Sequence, residues 1–145
     1  MRLSAIAFES LAREGGTTIV VPWIDGVSLI DFVAAFEREQ GFDKLSSEER
    51  GGLIPEYFRF GPLDRHYLGR GDWPTGDDGT VLLGCQCGEW ACDPFYARIE
   101  VEGDVVRWSA FGRYAGDEGY AGLAPIAFAR DAYEEALRSL PVVEP

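Results

Sequence analysis

Cys85, Cys87 and Cys92 are the three cysteines of this 145-residue chain, gathered in Gly84-Cys85-Gln86-Cys87-Gly88-Glu89-Trp90-Ala91-Cys92. Thiols at C-x-C-x4-C spacing suit three chemistries. As thiolates they would bind zinc, but a closed structural zinc site takes four donors. His66, Asp93 or Glu89 would have to complete the set, and the paired C-x2-C knuckles of common zinc modules are absent. As redox groups they would need a neighbouring cation or helix amino terminus to hold the thiolate. The loop instead carries Glu89 and Asp93, whose negative charge raises a thiol pKa, and the single histidine, His66, is distant in sequence. As packing groups they need only a core to fill. Cys85 then ends a buried strand, Gly84 and Gly88 permit the bends, and Trp90 joins the sulfurs at the end of the core. The loop's composition favours packing and no cofactor, with zinc on Cys85, Cys87, Cys92 and His66 as the alternative.

Other catalytic patterns are thin. Asp72, Asp77 and Asp78 are suited to a divalent cation or an acid pair, but they sit in a glycine-rich segment whose composition is that of solvated turns. The chain has no Walker loop, no G-x-S-x-G elbow and no H-E-x-x-H helix.

A net charge of -12 repels phosphate backbones and anionic lipid, which argues against nucleic acid and membrane surfaces; the plainer reading is that the charge keeps a small domain soluble, the sharper one that it attracts a basic protein partner. No stretch reaches the roughly 18 apolar residues of a membrane span. The amino-terminal apolar run is cut at Glu9, too short for a signal-peptide core, so the expected location is cytoplasmic. An odd cysteine count in that compartment argues against a disulfide framework.

These groups must be held by elements that the patterning outlines. Leu3 to Phe8 and the β-branched run Thr17 to Val21 predict strands joined through Gly15-Gly16. Asp25-Gly26 breaks the second run, and Ser28 is placed to cap a helix with Asp31 as the returning acid. Leu29, Phe32, Val33 and Phe36 form its apolar stripe, with Asp31, Glu37, Arg38 and Glu39 expected elsewhere and Gly41 as the stop. Ser46 to Arg50 suggests a short helical turn ended by Gly51-Gly52, and Gly61 to Gly79 reads as an irregular surface loop.

Val81 to Cys85 predicts another strand, and Phe95 to Val101 alternates strictly. A hairpin about Gly103-Asp104 sets Val101 opposite Val106, Ile99 opposite Trp108 and Ala97 opposite Ala110. On its other face Glu100 meets Arg107 and Tyr96 meets Phe111, so Tyr96, Phe111 and the nearby Trp90 become candidates for an interaction surface. Asp131 and Glu134 suggest a capping box for a last helix with stripe Tyr133, Ala136, Leu137 and Leu140, stopped by Pro141. The pattern predicts one α+β domain over residues 1–145, two layers deep, with two main helices packed on a mainly antiparallel sheet.

Leu82 to Cys92, with Ala97-Arg98-Ile99, Val106-Arg107-Trp108, Phe111, Pro125, Phe128, Tyr133 and Ala136-Leu137, resembles a family of small bacterial proteins frequent in actinobacteria. The resemblance carries no established activity and so implies no catalytic residue. The expected function is a non-enzymatic, cytoplasmic interaction module that neutralises a basic partner such as a toxin. The alternative is a metal-dependent or thiol-dependent enzyme at the cysteine loop.

Overall fold

The structure is a computed structural model that describes residues 2–12, 15–42, 50–55, 62–70, 79–85, 94–114 and 116–140, with the backbone alone at Arg50 and Cys85. Strand β1 (Ile6–Ala12) pairs antiparallel with β2 (Thr18–Ile24), and β2 turns into the two-residue strand β3 (Val27–Ser28). The first strand lies later than the predicted Leu3 to Phe8, because Ser4 is bonded elsewhere. Asp25 and Gly26 make the turn with φ of 51° and 82°, the left-handed pair that matches strand twist and that an Asp-Gly sequence readily supplies.

Helix α1 (Leu29–Gln40) follows at once, with the Asp31 amide donating to the Ser28 hydroxyl at 3.2 Å and Gly41 closing its other end. Leu29, Val33, Ala34 and Phe36 are buried, as the apolar spacing requires. Glu37 is buried too, which corrects its expected outward position.

The second sheet has the order β4-β5-β6-β7-β8, all neighbours antiparallel: β4 (Arg50–Gly51), β5 (Thr80–Cys85), β6 (Phe95–Glu102), β7 (Val105–Gly112) and β8 (Ile126–Ala129). The chain is therefore α+β with two antiparallel sheets rather than one. Two bridges join the sheets at both margins. Val20 and Leu53 exchange backbone hydrogen bonds at 2.8 and 3.0 Å, and the Ser4 amide donates to the Ala127 carbonyl at 2.7 Å. Gly52 makes the first bridge sterically feasible, since a Cβ there would lie 2.6 Å from Cγ2 of Ile19 and closer still to the Val20 carbonyl oxygen. Pro22 falls on β2 between the Leu53 bridge and the Trp23 to Ser28 pairing, a point where no amide donor is used.

The β6–β7 hairpin keeps the predicted register from its turn as far as Arg98, including Glu100 opposite Arg107, Val101 opposite Val106 and Ile99 opposite Trp108. It then shifts by one, so that Tyr96 faces Gly112 instead of Phe111, and Ala97 does not face Ala110. Ala110 supplies the extra residue of a β-bulge at φ 51° and is exposed. The slip turns Phe111 inward, where it stacks on Phe95 with ring centres 6.0 Å apart.

Within the predicted irregular loop, Leu63–His66 forms the short helix α2, and Leu63, His66 and Tyr67 are buried. The last helix, α3 (Arg130–Arg138), begins one residue before the expected cap. Ala129 occupies the cap position without a side-chain bond, Asp131 lies in the first turn, and Glu134 pairs with Arg130 at 2.7 Å. Tyr133 and Leu137 enter the core, each buried side chain of this size contributing about 1.5–3 kcal/mol. The proposed helical turn before Gly51, apart from Arg50, and the segment 71–78 with Asp72, Asp77 and Asp78 lie outside the described residues.

Candidate functional site

Strand β5 delivers Cys85 to its carboxyl end, paired opposite Arg50. Cys87, Trp90 and Cys92 fall in 86–93, outside the described residues. His66 is fully buried in α2, and its Nε2–H donates to the Val81 carbonyl oxygen at 2.8 Å. Val81 precedes Cys85 by four residues on β5, roughly 13 Å at the ordinary strand rise. His66 is thus bonded to β5 near the end opposite Cys85. Among the described residues no group of three His, Cys, Asp or Glu side chains is gathered for a metal. Burial lowers the imidazole pKa to about 4 against the smaller upward effect of the Val81 bond, so the ring is neutral at pH 7 with its proton on Nε2.

Tyr96 and Phe111 do not edge a surface. Both are buried, because both faces of the hairpin are covered at its bulged end.

The most charged part of the interior is one that the sequence did not single out. The Tyr120 hydroxyl, on a 3-10 turn (Glu118–Tyr120), donates to the Glu37 carboxylate from α1. Phe36 stacks on the Tyr120 ring, Phe42 and Phe95 meet it edge-on at 5.5 and 5.4 Å, and the Arg113 guanidinium carbon sits 5.5 Å from its centre. Asp117 anchors that turn by accepting from the Arg113 amide at 3.0 Å, Arg113 Nε at 2.8 Å, Arg113 Nη2 at 3.2 Å and the Gly119 amide at 3.1 Å. Burial works against ionisation of Asp117, but these bonds and the arginine charge prevail and hold its carboxyl below the usual range. A carboxylate, a phenol and a guanidinium together are capable of acid-base chemistry, yet Glu37 and Tyr120 are 0% and 1% exposed. They act as a clamp between α1 and the turn rather than as groups a substrate reaches. The signal available in sequence was the spacing of Glu37, four residues beyond the buried Val33.

A second buried chain of donors runs from Trp108 Nε1 to the Tyr133 hydroxyl at 3.1 Å, and from that hydroxyl to the Tyr67 carbonyl oxygen. It ties β7 to α3 and α3 to the end of α2.

The surface carries the acid. Glu102 and Asp104 are exposed around the β6–β7 turn, and Asp131 and Glu135 are exposed on α3. The Arg130 amide donates to the Asp104 carbonyl at 2.7 Å, which sets the turn against the first residues of the helix. The Arg130 side chain is engaged by Glu134 and by the Gly103 carbonyl at 3.3 Å. Compared with protein-family profiles, curated proteins and solved structures, the chain matched none. No helix among the described residues is long and apolar enough to cross a membrane.

Proposed function

We propose that the protein is a non-enzymatic binding module that takes a basic protein partner on its acidic surface, in the manner of an immunity protein that neutralises its target. The observation that carries this reading is the net charge of -12, with exposed Glu102 and Asp104 at a turn bonded to the start of α3, where Asp131 is exposed as well. Such a field steers a cationic partner and repels nucleic acid. The buried polar groups support the same reading, since Glu37, His66 and Asp117 are engaged in holding elements together.

The test is affinity capture from the native host at low salt. Expected is a basic protein that salt releases and that re-forms a defined complex with the purified chain in calorimetry. Recovery of no protein partner would overturn the reading.

A further inference from the structure

Hydrogen bonding in β1 has a fixed parity. The Asp25 amide donates to Ala5, and the register pairs Ala7 with Trp23, Glu9 with Val21 and Leu11 with Ile19, so the odd-numbered residues of β1 bond to β2. On β2 the even-numbered Val20 bonds away from β1, to Leu53, which confirms the alternation. The amides and carbonyls of Ile6, Phe8, Ser10 and Ala12 therefore point to the outer edge of β1. Ser4, of the same parity, pairs with β8, but β8 ends at Ala129 and α3 departs. Beyond Ser4, no backbone partner occupies this edge among the described residues.

Between that edge and α3 runs an open groove of about 320 Å³, lined by Ile6, Ala7 and Phe8 on the strand and Ala132, Glu135 and Ala136 on the helix, with Ser139 at one end. Its one charged lining residue is Glu135. Apart from the neighbouring α3, the described residues of this edge carry few guards against strand pairing. It has no lysine or proline, its only charged side chain, Glu9, accepts from Trp23 Nε1 at 3.3 Å, and Leu11 is 48% exposed.

We infer that β1 accepts an extended, basic segment of the partner as an added strand, with its small apolar side chains in the groove and a lysine or arginine on Glu135. Strand addition draws affinity from main-chain bonds and selectivity from alternate side chains. Here the groove lining receives one set of alternate side chains, and Glu135 within that lining takes a cation. The inference rests on the acidic-module reading and adds its place of contact.

The probe is a heptapeptide of alternating valine and lysine, with two forms N-methylated on one or the other set of alternate amides. All three carry the same charge, but a strand that pairs along one edge tolerates methylation of only one set. Expected is a loss of about tenfold or more for one methylated form and near-normal binding of the other. The amide signals of Phe8, Ser10 and Ala12 should shift with peptide, and Ser10→Pro, which removes an outward donor at an edge that tolerates proline, should weaken binding similarly. Glu135→Lys should weaken it too, and unchanged exchange protection in the β6–β7 hairpin shows that each variant is folded. Equal binding of both methylated forms, unaltered binding to Ser10→Pro, protection of the Phe8 and Ser10 amides before any peptide is added, or dimerisation through β1 would each overturn the inference. Salt-sensitive binding of the host partner in those cases leaves the acidic-module reading standing, whereas capture of no partner removes that reading itself.

Discussion

The Tyr120 hydroxyl donates to the Glu37 carboxylate across 83 positions of sequence, with both side chains closed inside the core. The bond fastens the last turn of α1 to the segment between β7 and β8. A buried acceptor that loses a donor bears part of its desolvation cost unrelieved, so Tyr120→Phe should lower stability by about 1–3 kcal/mol with little change in packing. Glu37→Gln keeps an acceptor for the Tyr120 hydroxyl, so it should cost less. Urea unfolding of the two variants ranks them, and a Tyr120→Phe protein as stable as the parent would deny the bond its structural role.

His66 makes stability depend on pH in a particular window. Its ring has a pKa near 6.5 in the unfolded chain and about 4 in the fold, lowered chiefly by burial. Between those values the unfolded state binds the extra proton, so stability is complete above about 6.5 and falls as pH drops toward 4, by roughly 3 kcal/mol for a shift of this size. It is the chain's single histidine, and Asp25 and Asp117, whose pKa values are lowered from 3.8, lose their contributions below this range. His66→Gln retains a donor for the Val81 carbonyl but does not titrate. Its unfolding free energy should therefore be nearly flat from pH 6.5 to 4.5 where the parent's slopes, as equilibrium unfolding across that range would show.

These two residues also show where sequence was informative. The β6–β7 hairpin was legible because strict alternation and a Gly-Asp turn fix a register locally, and α1 was legible because Ser28 announces its start. Glu37 was misread because residue type outweighed position. It lies on the buried stripe four residues after Val33, but the partner that satisfies it comes from a distant glycine-rich turn that no local pattern links to it. Strands β4 and β8, of two and four residues, are too short to show alternation. The place of His66 was not legible because a lone histidine has no spacing to read, while its burial against β5 is a tertiary fact.

The bulge was equally invisible, and it carries a measurable strain. Ala110 adopts φ 51°, a left-handed conformation that costs a residue with a Cβ roughly 1–2 kcal/mol, and its side chain is exposed. Ala110→Gly removes that strain at the expense of some unfolded-state entropy, and should stabilise the protein by about 0.5–1 kcal/mol. Ala110→Val should do the reverse, since a β-branched side chain is disfavoured at positive φ. A shift of the urea midpoint in these opposite directions at constant slope checks the bulge and, with it, the inward placement of Phe111.

Tyr133 holds the sharpest expectation for the core. Its hydroxyl accepts from Trp108 Nε1 and donates to the Tyr67 carbonyl, and all three residues are 0% exposed. Phe8, Trp108 and Phe128 surround the Tyr133 ring at centre distances of 5.7, 6.2 and 5.5 Å, so a phenylalanine fits the same space. Tyr133→Phe would thus preserve shape while stranding a donor on β7 and depriving the Tyr67 carbonyl of this hydroxyl donor. Each loss costs about 1–3 kcal/mol, which places the variant roughly 2–6 kcal/mol below the parent and below Tyr120→Phe. The Trp108 indole N–H resonance should move upfield as its acceptor is lost, while the amides of α1 stay in place. A variant that destabilises by less than Tyr120→Phe, or that leaves the Trp108 resonance unmoved, would mean that this relay does not join β7, α3 and the end of α2 as the geometry requires.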